Sequence, residues 1–341
     1  MKSQPGIRSA KWRFGALAAP GSMASVCAIL VFLVSGFALT GGCANAQPFF
    51  VGGTLPGVIN SGPDAAEVST LLPVLRRQPL TAPLRFRIIV LPGSGCAGMG
   101  PIADRYFAGL LHAEVLVLQK PGTRLDAWPA PANCGAEFTA SDALGQWRDQ
   151  AVAALRADAQ QQRELGAPLV PQWLVGVSEG VELLPSLAVE VPQLAGLVLL
   201  AHPGLDPQEA GGLQAQRIGQ ISAWNLLARA QESTLPDSTV LQGRSLRYWR
   251  DLWTWPLAQP LLDGPWTLLH AWGDADASIP PEAFEKFAAS ATHRKFAYCP
   301  LRMGGADHGL QTAERDGLQQ LWHLLARQTA WQQQGGLDCA P

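Results

Sequence analysis

The sequence predicts an α/β fold in which helices cover both faces of a mostly parallel central sheet. Short apolar runs typical of buried strands alternate with segments of helical periodicity, and most of these runs end close to Gly or Pro. The chain has 341 residues, of which 48% are hydrophobic and 15% are charged, and this suits a large domain with an ample core. In such folds ligands bind beyond the carboxyl ends of the strands, so that edge is where a site is expected.

Six buried strands and five helices are predicted in the central and C-terminal parts of the chain. The predicted strands are 85–91, 114–119, 173–177, 194–201, 265–272 and 294–300. The predicted helices are 102–111, 141–164, 181–188, 281–291 and 312–333, and Ser141 or Thr139 is expected to cap the second of them.

Two segments depart from this alternation. Residues 47–84 are rich in Gly and Pro, and they predict an irregular lead-in with one or two short edge strands. Residues 205–263 predict helices and loops that carry several aromatic side chains. We expect this second segment to be a small helical cap inserted over the site, within a single domain that spans residues 47–341.

Residues 1–46 are predicted to be a signal peptide. A positively charged start precedes an apolar stretch over residues 24–39, and Ala44-Asn-Ala46 supplies an A-x-A cleavage site. A second interpretation is a lipoprotein box over Thr40–Cys43, with lipidation of Cys43. Leu39 lies one position too far upstream for a good match, so cleavage after Ala46 is favoured, with an uncleaved membrane anchor as the third and least favoured interpretation. The mature chain is therefore expected to be periplasmic or secreted, without a transmembrane segment.

The remaining cysteines fit an oxidising compartment. With the two cysteines of the N-terminal segment set aside, four remain, and they allow three pairings. Cys96 and Cys134 follow two predicted strands at the same sheet edge, which favours that pair. The other pair, Cys299 with Cys339, would fasten the C-terminal tail against the sheet.

Charge and cysteine spacing bear on partners and cofactors. The formal net charge is −2, and no basic run follows the N-terminus, so a nucleic-acid partner is not expected. No CxxC pair or His/Cys cluster suggests a metal ion, and no cofactor is expected. The expected partner is a small-molecule ester or peptide substrate, while the oligomeric state is left open.

The most informative motif is the pentapeptide Gly176-Val-Ser-Glu-Gly180. It follows the buried strand 173–177 and precedes a predicted helix, which is the context of a nucleophile elbow. A serine at so tight a turn lies in strained backbone, and side chains in place of the two glycines would collide with the strand and helix. Because chance can also supply such a pentapeptide, its significance depends on the rest of the chain.

Three further motifs follow strands in a consistent order. Pro92-Gly-Ser-Gly95 precedes the elbow, and Gly273-x-x-Asp276-x-x-Ile-Pro280 and Asp307-His-Gly309 come after it. Together with the elbow, they make the chain resemble the α/β-hydrolase superfamily over roughly residues 85–334. The Gly-Ser-Gly-Cys and Lys-Pro-Gly motifs, with the later Cys134, are also similar to a group of exported bacterial members.

The resemblance implies a catalytic triad in the order serine, acid, histidine. By position, Ser178 matches the nucleophile, Asp276 the acid and His308 the base. It further implies an oxyanion hole from the backbone N–H groups of Glu179 and of Ser94, with Gly95 as the alternative to Ser94.

The residues leave some of these assignments open. Asp274 lies in the same turn as Asp276 and is an alternative acid, although the Gly-x-x-Asp spacing favours Asp276; Asp206 is a weaker substitute. His202 ends a strand at the same edge and is a candidate pocket residue.

The expected activity is hydrolysis of a carboxylic ester by a Ser-His-Asp triad through an acyl-enzyme intermediate. Two alternatives stay open. One is a peptidase or amidase with the same triad, and the other is a hydrolase-fold protein that binds a ligand without catalysis. The sequence does not indicate the substrate or its acyl-chain length.

Overall fold

The computed structural model describes residues 49–59, 68–127 and 134–332. The predicted signal peptide with its cleavage site and Cys43, and also Cys339 in the tail, lie outside these residues. Export, lipidation and the Cys299–Cys339 bridge therefore stay predictions.

An eight-stranded sheet forms the centre of the molecule, and most of its strands are parallel. Its strands are β1 (Val51–Ile59), β2 (Val68–Arg77), β3 (Phe86–Leu91), β4 (Ala113–Leu118), β5 (Gln172–Val177), β6 (Leu194–Leu200), β9 (Leu268–Gly273) and β10 (Tyr298–Met303). They are hydrogen-bonded in the order β1-β2-β4-β3-β5-β6-β9-β10. A separate two-stranded ribbon consists of β7 (Val240–Leu241) and β8 (Arg244–Ser245).

Helices lie on both faces of this sheet, as predicted. They are α1 (Gly100–Tyr106), α2 (Ala136–Ser141), α3 (Leu144–Glu164), α4 (Leu184–Leu187), α5 (Pro207–Arg217), α6 (Ile221–Gln231), α7 (Leu246–Thr254), α8 (Ala258–Asp263), α9 (Pro281–Ala291) and α10 (Gly317–Gln332). Short 3₁₀ helices at Ser178–Leu183 and Ala188–Glu190 flank α4.

Two apolar layers hold the helices against the sheet. On one face α3 contributes Trp147, which is fully buried. On the other face Phe107 and Trp322 of α10 pack with their ring centroids 5.8 Å apart. Every residue of β3, β4 and β9 is buried, as expected for parallel strands covered on both sides.

The prediction of short edge strands in residues 47–84 was wrong in extent, because β1 and β2 form a long antiparallel hairpin and only β1 lies at the edge. Proline within a strand normally argues against a central position. Pro73 of β2 lies just before the regular register with β4 begins at Val74, and its carbonyl accepts the Gln119 N–H at 3.0 Å, so only the bond of its missing N–H is absent there. At Pro73, the ladder partner is Thr54 of β1.

The last strand begins four residues later than the pattern predicted. Residues 294–297 were expected to be extended, but the Arg294 guanidinium donates hydrogen bonds to the carbonyls of Leu261, Gly264 and Trp266, each 2.9 Å long. These bonds hold Arg294 against the segment that precedes β9. Strand β9 was expected from residue 265 and begins at Leu268, just after these two carbonyls of Gly264 and Trp266.

The predicted helical and loop character of residues 205–263 is found in the structure. These residues form α5, α6, the β7–β8 ribbon, α7 and α8. In the described ranges, no helix combines the length and the apolar character that crossing a membrane requires.

Candidate active site

Ser178 lies at a strained turn between β5 and the 3₁₀ helix that follows it. Its φ is +50°, a left-handed conformation that is uncommon for residues other than Gly. A Cβ added to Gly180 would lie 2.2 Å from the carbonyl oxygen of Leu91, and one added to Gly176 would lie 2.4 Å from Cα of Val181. Gly180 therefore lets the elbow pack directly on the end of β3, and Gly176 lets β5 lie close to the helix that follows Ser178, as the sequence motif predicts.

Asp276 and His308 lie together beyond the ends of β9 and β10. His308 Nδ1 and Asp276 Oδ2 are 2.7 Å apart, and the Asp276 side chain is fully buried. The other carboxylate oxygen, Oδ1, accepts the backbone N–H groups of Ser278 and Ile279 at 2.6 and 3.0 Å. The carboxylate is thus fixed from both sides. The His308 side chain is only partly buried, with 35% of its surface exposed.

The two alternative acids have other partners. The Asp274 carboxylate accepts the Gly305 N–H at 2.5 Å and lies 3.4 Å from Arg302 Nε, so it binds the loop after β10. Asp206 Oδ1 accepts the N–H groups of Leu257 and Ala258 at 2.7 and 2.8 Å, where α8 begins. Asp276, rather than either alternative, is the carboxylate bonded to His308.

The loop after β3 lies directly beside the elbow. A Cβ added to Gly93 would lie 3.4 Å from Cβ of Ser178, and Ser94 is the next residue. The predicted oxyanion donors, the N–H groups of Ser94 and Glu179, therefore belong to adjacent segments, although their roles, and that of Gly95, stay predictions.

The predicted Cys96–Cys134 disulfide is confirmed. Its Cα atoms are 5.6 Å apart. The bridge fastens the loop after β3 to the segment that follows β4.

Comparisons with known proteins bear on the fold. No protein-family model and no curated protein matches the chain. Among solved structures, Est1E from Butyrivibrio proteoclasticus with bound ferulic acid is similar at a TM-score of 0.52 and 15% identity, over 76% of this chain and 96% of that one. A proposed hydrolase from Agrobacterium vitis S4 is similar at 0.52 and 16%, over 81% and 98%. The chain has the α/β-hydrolase fold.

Within this α/β-hydrolase fold, His202 lies two residues beyond β6 and is buried. Its Nδ1 accepts the Gly204 N–H at 3.0 Å, and its Nε2 is 3.7 Å from Glu182 Oε1. Burial, with a smaller contribution from the nearby imidazoles of His270 and His308, lowers the pKa of His202 to about 3. His202 is therefore neutral near pH 7. Its assignment as a pocket residue stays a prediction.

A second buried imidazole, that of His270 on β9, contacts the backbone of His202. Its two nitrogens are 2.8 Å from the carbonyl oxygen of His202 and 2.8 Å from the hydroxyl of Tyr298. Burial lowers the pKa of His270 to about 4. Since the unfolded value is about 6.5, the stabilisation from keeping this imidazole neutral is present above pH 6.5 and declines as the pH falls towards 4.

We therefore expect His270→Gln to flatten the pH dependence of stability between pH 6.5 and 4.5, by up to about 1.4 kcal/mol per pH unit. Urea unfolding at several pH values measures this slope in the variant and in the wild type. His323→Gln, on the exposed face of α10, is the matched control and is expected to keep the wild-type slope. An equal slope in His270→Gln and the wild type would contradict the prediction.

Sequence reasoning missed a group of buried charges beside Ser178. We call Lys120, Asp142, Glu179 and Arg244 the charged cluster. Lys120 Nζ lies 2.8 Å from Asp142 Oδ1 and 2.9 Å from Glu179 Oε2. Arg244 also pairs with Asp142, and its Nη1 is 3.8 Å from Glu179 Oε1. Lys120 lies two residues beyond the end of β4, and nothing in the sequence around it indicates burial among carboxylates.

Glu179 and Glu182 both lie in the 3₁₀ helix that begins at Ser178, but their pKa values shift in opposite directions. Burial alone would raise the pKa of Glu179, but the positive charges of Lys120 and Arg244 outweigh it and lower that pKa to about 2. The pKa of Glu182 is raised, first by burial and then by the negative charge of Glu179. Glu179 is therefore an anion and Glu182 favours its neutral form.

Residues of the predicted cap contact both the loop that carries Asp276 and the helix that follows Ser178. The Arg217 guanidinium at the end of α5 donates to the carbonyl of Asp276, at 3.3 Å, and to that of Ala277. Trp255, just beyond α7, donates its Nε1–H to the carbonyl of Glu182 at 2.8 Å. Segment 205–263 thus contacts the elbow as well as the acid loop.

No group of three or more His, Cys, Asp or Glu side chains in the described part of the chain has an arrangement that could hold a metal ion.

Proposed function

We propose that the chain is a serine hydrolase that cleaves a carboxylic ester through a Ser178-His308-Asp276 triad. The observation that carries the proposal is the 2.7 Å contact between His308 Nδ1 and Asp276 Oδ2 at the sheet edge where the strained elbow presents Ser178. A buried carboxylate that orients an exposed imidazole is the arrangement by which a serine hydroxyl is activated.

The mechanism assigns one task to each residue. Neutral His308 accepts the Ser178 proton at Nε2 while Oγ attacks the ester carbonyl carbon. Asp276 holds the imidazole in the tautomer with hydrogen on Nδ1 and stabilises the imidazolium that forms. The backbone N–H groups of Ser94 and Glu179 bind the oxyanion, at roughly 3–4 kcal/mol for each donor.

Collapse of the tetrahedral intermediate expels the alcohol, which takes the proton from His308. The resulting acyl-enzyme is an ester of Ser178. Water, activated by His308 in the same way, then hydrolyses it and restores the free serine.

His308, rather than His202, is assigned as the base. His202 is buried, and its nearest carboxylate oxygen, on Glu182, is 3.7 Å away and belongs to a group that favours its neutral form. Without a charged orienting carboxylate, His202 lacks the means of stabilising an imidazolium. Its pKa of about 3 also makes it a poor proton acceptor near neutral pH.

Covalent labelling tests the nucleophile. We expect a fluorophosphonate probe to label the wild type and not Ser178→Ala, because only an activated serine attacks phosphorus at a useful rate. The matched control is Ser186→Ala, since Ser186 lies on α4 close to the elbow and donates its hydroxyl to the Leu183 carbonyl at 2.8 Å. That variant should label like the wild type.

Absence of labelling in a folded wild type would favour the alternative of a ligand-binding protein without catalysis. Labelling of Ser178→Ala at the wild-type rate would assign the nucleophile to another residue.

A substrate panel separates ester from amide hydrolysis. Nitrophenyl esters of increasing acyl length, a ferulate ester and peptide anilides are compared by kcat/KM. The ferulate ester is included because a structural neighbour binds ferulic acid. We propose a small-molecule ester as the substrate, so the esters should be turned over faster than the anilides; the reverse order would identify a peptidase or amidase.

A further inference from the structure

The charged cluster includes the side chain of Glu179, whose backbone N–H is a proposed oxyanion donor. Glu179 is the residue after Ser178, and Lys120 follows the end of β4 by two residues, so both belong to the catalytic edge of the sheet. The Lys120 and Asp142 side chains are each 2% exposed, and that of Glu179 is 6% exposed. The cluster is therefore buried beside the nucleophile.

Aromatic rings enclose the Lys120 ammonium. It lies 5.0 Å from the ring centroid of Trp147, 5.8 Å from that of Tyr248 and 6.0 Å from that of Phe138. The Arg244 guanidinium lies 4.3 Å from the Tyr248 centroid. These rings exclude water from the cations, so the cations interact strongly with their carboxylates and with the rings.

A contribution to the stability of the fold does not by itself explain why these charges are buried. Buried ion pairs are often no more stabilising than apolar side chains of similar volume, because their desolvation offsets their attraction. Glu179, however, is the residue whose backbone N–H is the proposed oxyanion donor. An uncompensated carboxylate on that residue would oppose the negative charge that develops on the substrate oxygen.

We propose that Lys120 is a positioning residue for the oxyanion hole and acts through Glu179. Its ammonium bridges the Glu179 and Asp142 carboxylates and neutralises the charge on Glu179, so that the Glu179 N–H faces the site without an opposing anion. Arg244 supports the same carboxylate from the cap side. The inference rests on the proposed function, because it needs an oxyanion to form at Ser178.

The test compares Lys120→Met with the wild type in ester hydrolysis. We expect kcat to fall by about a hundredfold, the scale of losing one oxyanion donor, with KM changed by less than about twofold. A trifluoromethyl ketone, whose adduct with Ser178 carries the same oxyanion, should lose affinity in parallel with kcat/KM.

The double variant Lys120→Met/Glu179→Gln separates charge from packing. It removes the carboxylate that Lys120 neutralises, so it should recover most of the lost kcat and inhibitor affinity. If Lys120 only stabilised the fold, any recovery of kcat in the double variant would be matched by a recovery of its melting temperature. A recovery of kcat without a recovery of the melting temperature therefore identifies the effect of charge.

Arg87→Met is the matched control. Arg87 is another buried cation, 2.8 Å from Asp158 and 3.1 Å from Glu114, but it lies on β3 among residues far from the carboxyl ends of the strands. This variant should lower the melting temperature while kcat, measured well below that temperature, stays close to the wild-type value.

Arg244→Met, alone and with Glu179→Gln, gives the same comparison if Lys120→Met does not fold. Arg244 belongs to the two-residue strand β8, and its loss should lower kcat in the same direction, with recovery in the double variant.

A folded Lys120→Met with wild-type kcat, or a loss of kcat that Glu179→Gln does not relieve, overturns the inference while the proposed function stands. Absence of labelling and turnover in the wild type overturns the proposed function itself, so the two failures are distinguishable.

Discussion

Replacing Asp276 with asparagine is expected to lower kcat for ester hydrolysis by about ten-thousandfold while the fold is retained. Oδ1 of Asp276 accepts the N–H groups of Ser278 and Ile279, so the amide oxygen of an asparagine must take that position. The amide NH₂ then faces His308 Nδ1, which must accept a hydrogen bond instead of donating one. The imidazole proton moves to Nε2, the nitrogen that has to receive the Ser178 proton.

Asp274→Asn is the matched control for this prediction. Asp274 lies two residues earlier in the same turn, but its carboxylate binds the Gly305 N–H rather than His308. We expect only a small change in kcat for that variant. Steady-state kinetics on a nitrophenyl ester, with circular dichroism to verify folding, measures both. Equal losses in the two variants, or near-normal turnover in Asp276→Asn, would show that Asp276 does not orient the base.

The positions of the three proposed triad residues at one edge of the sheet could be predicted because each follows a strand with a strong local signal. Ser178 comes directly after β5, Asp276 three residues after β9 and His308 five residues after β10. Parallel strands end at the same edge of a sheet, so an ordered set of strands also orders the residues that follow them. The tight elbow adds a steric requirement for Gly that is visible in the sequence.

The charged cluster could not be predicted, for two physical reasons. Its pairs join distant parts of the chain: Lys120 is 59 residues from Glu179, and Asp142 is 102 residues from Arg244. In addition, Lys, Arg, Asp and Glu are usually exposed, so their sequence pattern does not indicate burial. The cluster becomes interior through packing between distant elements, with the rings of Phe138 on α2, Trp147 on α3 and Tyr248 on α7 around Lys120.

A similar reason explains the error at β10. The sequence between residues 294 and 300 has the composition of a strand, yet Arg294 finds better partners in carbonyls about 30 residues earlier. Tertiary hydrogen bonds of this kind override local strand propensity, because an unpaired buried carbonyl has a high free-energy cost.

Loss of the Cys96–Cys134 bridge is expected to lower the free energy of unfolding by about 4 kcal/mol. The two cysteines are 38 residues apart, and a cross-link across such a loop strongly limits the conformations of the unfolded chain. The double variant Cys96→Ala/Cys134→Ala removes the bridge without leaving a free thiol. Urea unfolding of this variant and of the wild type, both without reductant, measures the difference.

Dithiothreitol provides the control for this comparison. It should destabilise the wild type by at least the same amount. In the double variant, dithiothreitol can reduce only other disulfides. A further loss of stability in that variant would therefore support the predicted Cys299–Cys339 pair. The substitution Cys339→Ser should reproduce that loss. Equal unfolding midpoints for the double variant and the wild type would contradict a stabilising role of the Cys96–Cys134 bridge.

The same bridge should also affect catalysis, because Cys96 follows Ser94 by two residues in the loop that packs beside Ser178. Without the bridge, that loop is held to the segment after β4 only by non-covalent contacts, such as the 2.7 Å bond from the Gly98 N–H to the Ala127 carbonyl. A donor that must be ordered during the reaction stabilises the transition state less than a preorganised one. We therefore expect kcat of the double variant to fall more than KM rises, at temperatures where the variant is folded. An unchanged kcat would show that the non-covalent contacts of this loop are enough to hold the Ser94 N–H in position.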